Sequence, residues 1–202
     1  MNDWIFWAVG GFLFAEVAGY FIHRLLHADK VRILSRNHMI HHLLIYGPKR
    51  LRSEKYISPT AGDNSRFGIY GFGLEWIIPV VSMAAITLGV LHLIGVDWIS
   101  RLIFIGAGLL WGYFMFGVVH DAMHLKNTIF EKNRFLRPWF RYVRRLHDLH
   151  HLKINEQGLM DKNFGICFFF MDRIFGTLSK STTRLNKDNL KAALDRYSFI
   201  RG

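Results

Sequence analysis

The sequence predicts an all-α integral membrane protein of about three transmembrane helices with a helical cap on the cytosolic side. Three observations carry this expectation. The 202-residue chain is 51% hydrophobic and 15% aromatic, greasy for a protein that also holds 26 Lys and Arg. Its apolar runs reach bilayer length. Its basic residues are confined to alternate segments between those runs.

The elements follow in order. Residues 4–22 form an apolar stretch broken only by Glu16. At about 1.5 Å per residue it covers roughly 28 Å, close to the hydrocarbon thickness of a bilayer. It has no basic leader and no small-residue cleavage site, so it reads as a retained span. Residues 74–96 form a second stretch, containing Glu75, Pro79 and His92, and residues 98–119 a third, with Arg101 near its start. The short joint at Val96 and Asp97 makes these two a helical hairpin. Residues 164–171 are apolar but too short to cross, and read as an interfacial or capping element. One domain over residues 1–202 accounts for the whole: a site region at 23–66 and 120–178, and a polar, peripheral tail at 179–202.

Charge sets the sidedness. The chain carries a formal net charge of +11. Residues 24–66 hold nine Lys and Arg and residues 126–201 hold sixteen, so 25 of the 26 lie on one side and only Arg101 lies elsewhere. The positive-inside rule places the amino terminus outside and these segments in the cytoplasm, of a bacterial inner membrane or an endoplasmic reticulum. The same charge would hold them against anionic lipid headgroups. Nucleic acid is not an expected partner, because the charge flanks membrane spans and no nucleic-acid fold signature is present.

Ten of the eleven histidines fall in four five-residue windows. They are His23 and His27 in "HRLLH", His38, His41 and His42 in "HMIHH", His120 and His124 in "HDAMH", and His147, His150 and His151 in "HDLHH". On a helix, positions i, i+3 and i+4 fit within an arc of about 100°, so each window is expected to aim its imidazoles from one face toward one point. One window could be a set of ordinary buried histidines. Four that converge on one membrane face read as metal ligands, since burying ten imidazoles has no other evident compensation. The lone cysteine, Cys167, excludes an internal disulfide, a Cys-ligated cluster and a CxxC zinc knuckle. Ten imidazoles exceed the needs of one zinc ion and suit two metal ions of four to five nitrogen ligands each. Imidazole accepts Zn, Cu, Fe or Ni, so spacing does not choose the metal.

Four more residues are candidates for the surroundings of the site. Asp121 and Asp148 each follow a cluster histidine and could orient ring N–H groups. Glu16, an intramembrane carboxylate seven residues before His23, is expected to contact His23 or line the route to the site. Asn163 could contribute a ligand or simply form a turn. Glu75, near the end of its span, is expected to snorkel. Residues 130–151 mix aromatics with arginines and read as an interfacial helix whose positive face could also meet an acidic electron carrier.

These windows, with the closing stretch "DKNFGICFFFMDRIFGT" at residues 161–177, resemble the membrane-bound fatty acid hydroxylase superfamily. That superfamily includes sterol desaturases, fatty acid and sphingolipid hydroxylases and β-carotene hydroxylases. The resemblance covers roughly residues 12–178. It implies a non-haem centre of two Fe ions held by the ten histidines, with no separate acid, base or nucleophile. It also implies O2 as co-substrate, and hydroxylation or desaturation of an unactivated C–H bond in a membrane lipid such as a fatty acyl or sterol-like substrate. These 202 residues show no haem-carrier domain of the fused kind that some members hold, so electrons are expected from a separate donor, ferredoxin-like or a small haem carrier with its reductase. Glu16, the "HD" of the third window and the short length look like the carotenoid ring hydroxylases. That window's spacing and "DRIFGT" look more like the sterol and fatty acid branch. A histidine-rich metal transporter or sensor is the reading from another class; it would place ligands near mid-bilayer.

Overall fold

The computed structural model describes residues 3–59, 74–182 and 185–201. Residues 60–66 of the expected site region therefore lie outside the described residues. Within them the chain is helical, and its only β-type pairings are two isolated bridges, Ser53 with Leu125 and Ile154 with Met160.

Three helices are long and apolar enough to cross a membrane. The first, α1, runs Trp4–Leu26, four residues beyond the expected end. Nothing in "HRLL" breaks it, so His23 rides in its last turns. It stops at His27, whose backbone N–H folds back to the carbonyls of Arg24 and Leu25. After α2, Arg32–Ile40, the chain widens into a π-helical turn at His41–Ile45. Then α3, Leu74–Leu93, leaves the cap, and a tight joint with Gly95 at φ +79° turns the chain back. Asp97 accepts a hydrogen bond from the Ser100 N–H and so starts α4, Trp98–Tyr113. A π-helical segment, Phe114–Val119, and the short α5, His120–Met123, extend this third span toward the cap.

The α1–α4 pair is the tight seam of the bundle. A Cβ on Gly11 would lie 2.1 Å from the Phe104 carbonyl oxygen, and one on Gly108 would lie 3.2 Å from the Gly11 carbonyl oxygen. Close approach at small residues is how helices associate in lipid, where apolar surface alone gives no drive. By contrast, α3 exposes Val81, Ile86, Val90 and Leu93.

The cap is built on α7, Arg137–Leu152, together with α2, the four-residue α6, Ile129–Lys132, the five-residue α8, Phe170–Ile174, and α9, Lys187–Arg196. One face of α7 buries Phe140, Val143, Leu146 and Leu149 against Met115, Val119 and Met123. Residues 130–151 are thus two helices, not the single one expected. Asn133 takes an extended conformation, its side chain accepts the Phe135 and Leu136 N–H groups, and Pro138 then opens α7. One of its arginines turns inward: Arg144 is buried, donates to the Met123 and Leu125 carbonyls, and pairs with Glu131 at 2.7 Å.

The tail is not peripheral. Ala193, Tyr197 and Ile200 are buried with Met39, Leu43, Ile154 and Met160. Tyr197 donates its hydroxyl hydrogen to the His27 carbonyl at 2.7 Å, and Asn189 donates to Ile154. Polar composition hid one apolar face of α9, read only once it packs.

The glycine seam yields a paired prediction. Gly11→Ala should lower stability in detergent by about 2 kcal/mol through overpacking. Gly106→Ala, whose new Cβ would meet nothing within 4 Å, should be neutral or slightly stabilising. Thermal unfolding of both variants checks the contrast.

Candidate metal centre

All ten window histidines are buried at the cap end of the spans. Nine of them form two groups whose ring nitrogens lie within 4.8 Å of one another: His23, His27, His38, His42 and His150 in the first, and His41, His124, His147 and His151 in the second. His120 stands beside the second group. Its ring centroid is 4.9 Å from those of His41 and His147, and its Nδ1 lies 3.2 Å from Asp121.

The windows do not each serve one point, as their spacing suggested. In "HMIHH", His38 and His42 enter the first group and His41 the second; in "HDLHH", His147 and His151 enter the second group and His150 the first. Helix geometry explains the split. The i+4 side chain lies about 40° to one side of i, and the i+3 side chain about 60° to the other. Each trio therefore straddles the boundary between groups: the π-helical turn after α2 sends His41 to the second group, and α7 sends His150 to the first.

Two loops aim the rings. For the first group, His23 Nδ1 donates to the Phe164 carbonyl and His150 Nδ1 to the Lys162 carbonyl, each at 2.6 Å. Those carbonyls belong to the closing stretch at 161–177, which is tied into shape by two buried side chains. Asp172 accepts the N–H groups of Phe164 and Gly165 at 2.8 and 2.7 Å and the Thr177 hydroxyl at 2.6 Å. Asn163, at φ +59°, donates to the Leu146 and Ser179 carbonyls and accepts the Ser179 N–H. A Cβ at Gly165 would lie 2.7 Å from the Phe168 carbonyl oxygen, so glycine is required there. For the second group, His124 donates to the Leu51 carbonyl and His151 to the Tyr46 carbonyl, each at 2.9 Å. Here Tyr46 and Ser53 brace the loop, their hydroxyls 3.1 Å apart, and the Ile57 N–H donates to Tyr46.

A carbonyl can only accept, so these four rings carry their proton on Nδ1 and present an Nε2 lone pair inward. His23 Nε2 is buried and has no hydrogen-bond partner among the described residues. Lone pairs on neutral imidazoles converging on two points are the donor set for two cations that accept nitrogen. The residues fit such ions. Burial, and then the neighbouring imidazoles, hold His27, His38, His41, His42, His147 and His151 well below the usual 6.5, and burial holds His150 at about 4. The rings are therefore neutral and ready to bind at neutral pH.

The four neighbouring candidates take different places. Asp121 faces His120 and is hydrogen-bonded with Tyr56. Asp148 pairs with Arg52 instead of orienting a histidine. Glu16 does not contact His23: it accepts the Trp111 indole N–H at 2.7 Å and the Phe168 backbone N–H, joining α1 to α4 and the closing loop. Asn163 is a loop brace with its amide fully engaged by backbone. Glu75 does not snorkel. It is buried, accepts from Asn37 at 3.1 Å, and lines a pocket of about 30 Å³ with His38, His41, His120, Asp121 and Tyr56. That volume suits one molecule the size of water. Sequence reasoning did not identify Tyr46, Tyr56 or Asp172. Asp172 lay inside the quoted closing motif, but only the loop's hydrogen bonds disclose its work.

Two predictions follow from this geometry. Asp172→Ala leaves two buried N–H groups unpaired, costing about 1–3 kcal/mol each, and frees the Phe164 carbonyl from its brace. Metal content by elemental analysis should fall toward half, with Asp172→Asn intermediate. The second concerns acid. Folded pKa values depressed below 6.5 mean that the unfolded chain binds protons the folded site refuses. Stability of the metal-free protein is full above pH 6.5 and declines as pH falls from 6.5 toward about 4. A thermal-unfolding series across that range should show a steadily falling midpoint; a flat profile would contradict the neutral-ring assignment.

Comparison with known proteins agrees with the geometry. The family described as Fatty acid hydroxylase matches residues 8–177, spanning all four histidine windows and the closing loop. No curated protein and no solved structure matches the chain. With a match over most of its length, three helices fit to cross a membrane and a buried histidine centre, the chain belongs to the fatty acid hydroxylase family.

Proposed function

We propose that this protein is an O2-dependent membrane hydroxylase that uses two metal ions, iron in the active form, to hydroxylate or desaturate an unactivated C–H bond of a membrane lipid such as a fatty acyl or sterol-like substrate. The observation that carries this reading is the division of the buried histidines into groups of five and four, at one end of three spans. Two irons, when bound, supply the activation of O2 by two electrons that such a bond requires. Hydroxylation uses O2, two electrons and two protons, and releases the alcohol and one water.

The chain's own residues hold, orient and exclude. The Phe164, Lys162, Leu51 and Tyr46 carbonyls fix the ring orientations. The small pocket walled by Glu75, Asp121 and Tyr56 admits a molecule of the size of water or O2 beside His38, His41 and His120. Trp76 and Phe116 form its apolar wall, with ring centroids 4.4 Å apart, and keep bulk water from the centre. The basic segments favour a cap on the cytoplasmic side, held to anionic lipid. An open hollow lined by five basic residues (Arg52, Lys126, Arg141, Arg144 and Arg145) and two acidic ones, Glu131 and Asp148, keeps an excess of positive charge that suits an acidic electron donor, supplied as a separate protein. A transporter reading is weaker, because among the described residues neither histidine group lies along the middle of a span.

Protein purified in mild detergent and reloaded with iron should hold two metal ions per chain, and His150→Ala should lower that content. Supplied with O2 and an electron donor, it should add oxygen to, or remove hydrogen from, a lipid detected by mass spectrometry. One ion or none, unaffected by His150→Ala, would defeat the two-metal reading.

A further inference from the structure

A second cavity lies below the histidines, inside the bundle. It has a volume of about 270 Å³ and sits between α1, α3 and α4, against residues such as Ala18, Val80, Ala84, Phe104 and Gly112. Among the described residues no charged side chain lines it, and the hydrogen-bonding side-chain oxygen and nitrogen atoms on its wall are those of Tyr113 and Trp76. An ion or a polyhydroxylated ligand would be stripped of water there without compensation. Ile77, Val81, Leu109 and Tyr113, which flank it on α3 and α4, are exposed on the lipid-facing surface. The cavity therefore opens sideways toward the bilayer. Its volume lies at the small end of ligand sites, enough for a segment of a lipid and not a whole one.

Its upper end meets the metal centre. Trp76 and Phe116 line both this cavity and the small polar pocket. The Phe116 ring lies 6.1 Å from His23, and the Trp76 ring 6.3 Å from His38. Phe116 belongs to the π-helical segment Phe114–Val119, a backbone irregularity of the kind that re-aims side chains at functional sites. Gly19 makes room for it: a Cβ there would lie 2.9 Å from the Phe116 ring. Among the described residues, the rings of Trp76 and Phe116 are the walls that a lipid-side cavity shares with the histidine pocket.

We propose that this cavity seats the unbranched hydrocarbon chain of a fatty acyl substrate, entering from the bilayer between α3 and α4, with Trp76 and Phe116 as the pair that decides which chain carbon reaches the metal centre. The proposal rests on the hydroxylase reading for its chemistry, but not for its binding. The seated portion carries no polar group, so the attacked carbon lies next to a stretch of plain hydrocarbon. Gly112 is the position that controls the space, since a side chain there would meet nothing within 4 Å and would grow into the cavity.

The test uses the full chain in phosphatidylcholine nanodiscs and a saturated long-chain fatty acid carrying a mid-chain diazirine and a terminal alkyne. After irradiation, adducts mapped by mass spectrometry should concentrate on peptides containing Trp76, Phe116 and residues 18–22, and excess unlabelled fatty acid should remove them. Gly112→Leu should reduce this labelling roughly ten-fold, the loss expected for about 1.4 kcal/mol of binding. Gly89→Leu, at an exposed position whose new Cβ also meets nothing, should leave it unchanged. Should Gly112→Leu fail to assemble, Ala84→Phe fills the cavity from the α3 side and serves the same comparison. Adducts spread over outward residues such as Val90 and Leu110, indifferent to Gly112→Leu, would overturn the proposal. Labelling needs neither metal nor O2. A labelled cavity without lipid product would therefore count against the hydroxylase reading alone, and product without cavity labelling against this inference alone.

Discussion

Ten imidazoles lie buried at one end of a membrane bundle, and the rest of the molecule depends on keeping those in its two groups neutral and pointed. A buried imidazolium has no water to stabilise it, and here its neighbours are other imidazoles that would repel it. The neutral ring has one N–H and one lone pair, and only the lone pair is useful to a cation. Each ring must therefore spend its proton somewhere outside the centre. Four do so on backbone carbonyls, two from the loop at 161–177 and two from residues 46 and 51. Much of the cap serves to hold those carbonyls still.

The division of labour has a near two-fold logic. Each group takes the i and i+4 histidines of one trio and the i+3 histidine of the other, and each adds histidines from the end of a span: His23 and His27 in one case, His124 in the other. Because α7, and likewise α2 with the π-helical turn that continues it, contributes to both groups, neither group can move without the other. A rotation of α7 that improved the aim of His147 and His151 would spoil His150. The π-helical turns at His41–Ile45 and Phe114–Val119 lie where such adjustment is needed, at the junctions of trio and span.

Outside the centre, different forces act. Between α1 and α4 the absence of side chains at Gly11 and Gly108 allows contact of backbones, whereas α3 stands off and leaves the apolar cavity. The carboxylate of Glu16 links that membrane seam to the closing loop through Trp111 and Phe168. The tail beyond residue 177, past the end of the family match, adds a strap across the cap. Its Tyr197 hydroxyl reaches the carbonyl of His27, a member of the first group.

The sequence by itself determined the fold class, the number of spans and the ten histidines, because hydropathy and i, i+3, i+4 spacing are local properties that survive any tertiary arrangement. It could not decide how the trios divide. That depends on where α2 and α7 lie relative to each other, and a difference of some 100° around a helix axis separates the i+3 ring from the i+4 ring. Nor could it distinguish Glu16 as a brace, Asp148 as a partner of Arg52, or Glu75 as a pocket wall, since a carboxylate's role is set by whichever group folding brings within about 3 Å. The work of Asp172 and Tyr46 was equally invisible, for they act on histidines only through backbone carbonyls. Local pattern names the buried histidines of this protein; long-range packing chooses their partners and aims them.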